Sequence, residues 1–229
     1  MKKEHSILLT QTRPPSTKEI EFWKHKEFTT LQHQSLLDVK LLPVKPLNIA
    51  PQAIVLTSSN AALALEHSDW DRSIPVYAVG NATASKVKSI GFTNSSSPSD
   101  NPYPSALHLI EWIKENLHPN HGPIIFGCGN HIRHDVAEIL SEYGFETTKI
   151  ILYTTESATG FNKEIEEALR NNNIGAVVIN SETALSTFAN LCFEQNINTQ
   201  PFQIFVPSKF LKNCALTLDF LNVSIITQH

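Results

Sequence analysis

One phrase occurs twice in this chain, and it constrains the fold more than any other feature: Ala53-Ile-Val-Leu-Thr-Ser58-Ser-Asn-Ala61 and, 123 residues later, Ala176-Val-Val-Ile-Asn-Ser181-Glu-Thr-Ala184. In each copy a β-branched apolar run breaks at a Thr-Ser or Asn-Ser step, and an Ala-rich helical pattern follows at the same offset. The pattern predicts a strand, a short loop and a helix, used in two similar halves. Two such α/β halves are expected to face a ligand across a cleft. Each would offer hydroxyl groups and unpaired backbone N–H groups where a helix begins.

A chain of 229 residues, 41% of them hydrophobic, fills one large core or two small ones, and the repeat favours two of about 100 residues each. Its 22 acidic and 18 basic residues are spread along the chain for a net charge of -4, which excludes a broad nucleic-acid-binding face. An anionic ligand has to be met locally. Cys128, Cys192 and Cys214 are odd in number and lack paired spacing, so they are expected to be free thiols in a reducing compartment. The apolar stretch Ile7 to Leu9 is too brief for a secretory signal, and no run approaches the roughly 18 residues of a membrane span. The expectation is a soluble cytoplasmic protein with no membrane or nucleic-acid partner.

Strand and helical patterns alternate along the chain. Ser6–Thr10 predicts a strand, and Pro15 and Ser16 open a helix with early acid at Glu19. Thr29 to Val44 reads as extended segments closed by Pro43 and Pro46. Ala53–Leu56, Val76–Val79, Ile124–Phe126 and Thr148–Thr155 predict strands, with helices at Asn60–Glu66, Ala82–Ile90, Ala106–Leu117 and His131–Tyr143. A polar run from Asn94 to Pro104 interrupts them. Strands at Ala176–Ile179, Phe202–Val206 and Val223–Ile226 alternate with helices at Asn162–Arg170, Thr183–Glu194 and Lys209–Ala215. Such alternation favours parallel sheets covered by helices. The strand near Ile7 has too few neighbours of its own and is expected to complete the C-terminal sheet. The reading is therefore an α/β fold of two similar parallel-sheet domains. Residues 1–36 with 156–229 form a discontinuous N-terminal domain and 45–147 an inserted one, joined by hinge strands at 37–44 and 148–155.

Each chemical motif has a plainer reading beside it. Gly127-Cys-Gly129 lacks the third glycine of a dinucleotide fingerprint, which would fall at Ile132, and reads as a tight turn. After it Asn130 is a candidate cap, and Arg133, in the first helical turn, could fork onto a carboxylate or phosphate. Cys128, His131 and His134 have no fourth ligand spaced to close a zinc site. In Val79-Gly80-Asn81-Ala82-Thr83, Gly80 admits a ligand close to the backbone, Asn81 can cap, and Thr83 sets a hydroxyl beside unpaired N–H groups. A well-capped helix and nothing more is the alternative there, as it is for Ser58 and Ser181. Arg13 sits in a Pro-bounded loop, and Tyr153 lies on a predicted hinge strand. Hydrolase-elbow, zinc-protease and phosphate-loop signatures are missing.

Taken in order, Leu8-Leu-Thr-Gln-Thr-Arg13-Pro14, Val55-Leu-Thr-Ser58-Ser-Asn-Ala61, Val76-Tyr-Ala-Val-Gly80-Asn-Ala-Thr83-Ala, Phe126-Gly-Cys-Gly129-Asn-His-Ile-Arg133, Leu152-Tyr153-Thr154 and Asn180-Ser181 resemble the uroporphyrinogen-III synthase family over nearly the whole chain. The resemblance implies two α/β domains joined by a two-stranded ladder, and no metal or organic cofactor. The implied substrate is hydroxymethylbilane, a linear tetrapyrrole with eight carboxylates, which is cyclised with loss of water and inversion of ring D through an azafulvene and a spiro intermediate. Ser58, Thr83, Asn130, Arg133, Arg13, Ser181 and Ser208 would hold carboxylates. Tyr153 matches the family's hinge tyrosine, proposed to help the hydroxyl leave. Phenols as a class ionise near pH ~10 and can donate a proton at neutral pH. The chain departs from the family at Val206-Pro207-Ser208-Lys209, where a glycine is usual. A monomer is expected. A non-catalytic tetrapyrrole or anion-binding module of the same fold is the competing reading, and a nucleotide-using α/β enzyme a third.

Overall fold

The computed structural model describes residues 6–98 and 105–226. The later part of the polar run up to Pro104, and both extreme ends of the expected discontinuous domain, lie outside the described residues. In chain order the elements are β1 (Ser6–Leu9), α1 (Thr17–His25), β2 (Thr30–His33), β3 (Leu37–Leu41), β4 (Ala53–Leu56), α2 (Ser59–Ala64), β5 (Val76–Ala78), α3 (Asn81–Ser89) and β6 (Ser95–Ser96). There follow α4 (Ala106–Asn116), a 3-10 turn at Pro119–His121, β7 (Ile124–Gly129), α5 (Val136–Glu142), β8 (Thr147–Ser157), α6 (Lys163–Arg170), β9 (Ile174–Val178), α7 (Glu182–Glu194), β10 (Gln203–Val206), α8 (Lys209–Thr217) and β11 (Asn222–Ile225).

Two compact units result, one of Met1–Asp38 with Glu156–His229 and one of Val39–Thr155. The first holds a five-stranded sheet in the order β11-β10-β9-β1-β2, with every neighbouring pair parallel. The second sheet runs β3-β8-β7-β4-β5-β6, parallel from β8 to β6. The apolar runs are explained by burial on both faces, the usual fate of parallel strands. In the first unit Leu8, Val177, Ile204 and Val206 pack with α6, α7 and α8, while Ile7, Leu9, Ala176 and Val178 pack on the other face with Trp23 of α1. In the second, Ile54, Leu56 and Ile125 meet α2 and α3, whereas Val55, Ile124, Phe126 and Cys128 meet α4 and α5.

Four local expectations are corrected. Gly127-Cys-Gly129 is not a turn but the end of β7, because both glycines lie beneath side chains of β8 and leave room for them. The helix expected from His131 begins at Val136, where the Asp135 side chain accepts from the Glu138 N–H and supplies the cap. Tyr143, expected as the last residue of that helix, is its C-cap, half exposed, and sits under the Lys114 ammonium, 3.6 Å from the ring centroid. Finally, Gly80 and not Asn81 is the N-cap of α3, and the Asn81 Oδ1 accepts from the Ser97 hydroxyl at 2.7 Å.

Candidate functional site

In an open parallel sheet, ligands bind beyond the carboxyl ends of the strands, where the chain's path reverses direction across the sheet. In the second unit the chain steps from β4 to β5 and β6, then returns to add β7 and β8 on the other side of β4. The reversal lies between β4 and β7, and the residues that follow these strands include Ser58 and Asn130. In the first unit it lies between β1 and β9, whose loops carry Arg13 and Ser181. The sequence candidates thus fall at the one edge of each sheet where topology leaves room.

Their local geometry follows from helix capping. Ser58, Ser181 and Ser208 share an extended backbone, with φ of -149, -147 and -147°. Their hydroxyl oxygens accept from the N–H groups of Asn60 at 3.1 Å, Ala184 at 3.2 Å and Leu211 at 3.3 Å. A serine that accepts in this way still has its O–H proton to give, so capping and holding a carboxylate are compatible. Ser208 thereby keeps a hydroxyl in the loop that departs from the family pattern. At α3, Gly80 makes no side-chain cap bond. Thr83, only 5% exposed in the first turn of α3, sets its hydroxyl 3.3 Å from that of Ser59. Ser59 is a site neighbour that the sequence reading missed, since only the packing of α2 against α3 reveals it.

Two expectations on the basic and amide side chains change. Asn130 does not cap a helix. Its backbone N–H donates to the Tyr153 carbonyl at 3.1 Å and its Oδ1 accepts from the Thr155 N–H at 2.8 Å, so it grips the end of β8. Arg133 precedes α5 and is not in a helical turn. Arg13, 62% exposed, already forks onto a carboxylate. Its Nη1 and Nη2 donate to Glu19 at 2.7 and 2.8 Å, and Glu19 completes a capping box with Ser16. Burial pushes the Glu19 carboxyl up, but bonds from Arg13 and from the Ser16 amide and hydroxyl outweigh it and hold it at about 2. The same pairing raises Arg13.

Tyr153 is half buried within β8, opposite Gly129, the last residue of β7. It packs on the sheet face that carries α2 and α3, with Leu56, Ala61, Ala62 and Leu152. The phenol, the Ser58-Ser59 hydroxyls and Thr83 therefore share one face and one edge of this sheet. Cys128 points to the opposite face, where burial pushes its thiol up to about 11 and leaves it inert as a nucleophile. Asp135, ion-paired with Lys149, stands beside it. Among the described residues, no three or more His, Cys, Asp or Glu side chains gather as a metal group, and no helix is long and apolar enough to cross a membrane.

Two sheets of parallel strands with serine-capped helix starts at their carboxyl edges define the α/β class of the protein. The comparisons with known proteins narrow that class. The family model of uroporphyrinogen-III synthase HemD matches residues 27–220, and the chain belongs to that family. Among solved structures, the uroporphyrinogen-III synthetase of Helicobacter pylori 26695 is similar at a TM-score of 0.67 and 14% identity, covering 98% of this chain and 93% of the other. A triple-mutant uroporphyrinogen III synthase of the extremely thermophilic bacterium Thermus thermophilus is similar at 0.57 and 12%, covering 98% and 94%. At these identities the likeness shows the fold. No curated protein matches the chain. Through its family, the chain's function is uroporphyrinogen-III synthesis in porphyrin biosynthesis.

Proposed function

We infer that the chain is a lyase that closes hydroxymethylbilane to uroporphyrinogen III, expelling water and inverting ring D, and that it works as a cytoplasmic monomer without a cofactor. The observation that carries this reading is that the Tyr153 side chain packs on the sheet face that carries α2 and α3. The substrate is reactive by itself and closes unaided to the uninverted isomer, so the protein's task is to hold one bound shape while water departs. Tyr153 is the acid that hydrogen-bonds the leaving hydroxyl. Ser58, Thr83, Ser181 and Ser208 donate hydroxyl protons to carboxylates, joined by helix-start amides, and this reconciles an eight-fold anion with a chain of net charge -4.

Arg133 supplies a full positive charge, and Asn130 contributes its side-chain amide N–H groups. Arg13 contributes through the donors left over, since its bonds to Glu19 and the Pro14 carbonyl use three of its five. The test is to incubate the purified chain with freshly generated hydroxymethylbilane and separate the oxidised porphyrins by isomer. A dominant type III product is expected. A type I product equal to the protein-free control would leave a tetrapyrrole-binding module without this chemistry.

A further inference from the structure

Gly129 stands out because no backbone requirement explains it. The glycines with positive φ are Gly91, Gly122 and Gly144, so any residue can adopt the conformation found at 129. A glycine inside a strand is destabilising relative to alanine. What excludes a side chain is the phenol. A Cβ at this position would lie 2.6 Å from Tyr153 Cζ, 2.7 Å from Cε2 and 2.9 Å from the hydroxyl oxygen. Carbon atoms in ordinary contact sit about 3.5–4.0 Å apart. The hydroxyl end of the ring therefore rests on the bare backbone of β7.

The neighbouring strand is shaped to bring the ring there. Cys128 pairs with Ile151 and Gly129 with Tyr153, so Leu152 is an extra residue, a β-bulge in β8. Leu152 fills the space over Gly127, where a Cβ would be 2.5 Å from its Cδ1. Two consecutive residues, Leu152 and Tyr153, thus turn to the α2/α3 face, where regular alternation would send them to opposite faces. Asn130 then fixes the backbone on both sides of the ring through its bonds with the Tyr153 carbonyl and the Thr155 N–H.

We propose that Gly129 is a positioning residue for the reaction: the absence of its side chain, with the bulge at Leu152 and the Asn130 clamp, determines where the Tyr153 hydroxyl meets the substrate's departing hydroxyl. This rests on the reading of Tyr153 as the acid. An added methyl group meets the free end of a side chain, which can swing aside, so the fold survives while the phenol moves.

The experiment compares the full-length chain with its Gly129→Ala, Tyr153→Phe and doubly substituted forms, measuring kcat, KM, type III to type I ratio and thermal midpoint. Gly129→Ala is expected to lower kcat roughly 10- to 100-fold, the scale of a misplacement near 1 Å, and to raise the type I share while KM stays within about twofold. In the Tyr153→Phe background the same change is expected to cost less than about twofold, because the hydroxyl it would misplace is gone. Equal losses in both backgrounds, or wild-type kcat in Gly129→Ala, overturn the role of Gly129 while leaving an impaired Tyr153→Phe to support the acid. An unimpaired Tyr153→Phe overturns the acid reading and this inference with it. If Gly129→Ala does not fold, Asn130→Ala carries the same cycle, since it loosens the clamp and adds no volume. Losing its amide N–H groups is expected to raise KM in both backgrounds, whereas its kcat loss is expected only where the Tyr153 hydroxyl is present, and a kcat loss unaffected by Tyr153→Phe overturns the proposal.

Discussion

The two units use the same strand-loop-helix step but do not finish it in the same way. In the unit of Met1–Asp38 and Glu156–His229, α7 and α8 both start under a serine whose oxygen takes one of the helix's own N–H groups. In the unit of Val39–Thr155, α2 does so at the edge near Tyr153, whereas α3 begins at Gly80 with no side-chain cap. An uncapped start gives up a few tenths of a kcal/mol relative to serine, and in return no side chain competes with an incoming carboxylate for its amides. The same unit carries Tyr153. Under the proposed function the halves would not be equal partners in the chemistry: Val39–Thr155 would hold both the acid and the most receptive helix start, while the other unit would contribute anion-holding starts that are already stabilised.

The largest effect that would sharpen this contrast is on turnover. Tyr153→Phe should lower kcat by about 10²-fold or more with little change in KM, more than any other single change at the site, with Thr83→Ala costing less. Ser181→Ala should act mainly on KM. Equal kcat losses from Tyr153→Phe and Ser181→Ala in steady-state assays would erase the division of labour. Next in size, Gly80→Ser should raise KM about tenfold, since its new oxygen would compete for the α3 amides, an exchange on the scale of one charge-assisted hydrogen bond. Denaturant titration of the same variant should show stability raised by a few tenths of a kcal/mol. A Gly80→Ser chain with unaltered KM would place the carboxylates elsewhere.

Smaller again are the cap deletions, for which Ser181→Ala and Ser208→Ala should each lose about 1 kcal/mol in denaturant titration. The least effect concerns acid. Glu19 titrates at about 2 in the folded chain against an ordinary 4.5, so its contribution is present above that ordinary value and is lost as pH falls through about 2. Thermal midpoints followed from pH 5 to 2 should therefore fall more for the wild type than for Glu19→Gln, by the small margin expected of an exposed pair. Parallel curves would show that the Arg13–Glu19 fork contributes nothing measurable.

The fold was largely legible because its signals are local. Apolar β-branched runs such as Ala53–Leu56 mark doubly covered strands, and Ser16, Ser58, Ser181 and Ser208 stand one residue before the helices they cap. What escaped was set by partners distant in sequence. Gly127-Cys-Gly129 looks like a turn until Leu152 and Tyr153, more than twenty residues on, are laid over it. The start of α5 was misplaced although its signal was local, since Asp135 followed three residues later by Glu138 is a cap signature. The site candidates were legible as hydroxyls and cations near helix starts. That Asn130 grips β8, and that Arg13 is already engaged by Glu19, depends on hydrogen bonds that no spacing rule discloses.

The position of β1 has a further consequence for how the chain is made. β1 is an interior strand, held between β2 and β9, and Ile7 waits for Ala176. Every strand of the sheet from β3 to β8 leaves the ribosome before β9 does. At about 5–20 residues per second, the gap between β2 and β9 lasts roughly 7–30 s, during which the apolar flank of β1 has no permanent partner. β1 is thus made early and enclosed late, and until β9 arrives its open apolar flank is a surface that a chaperone would have to shield.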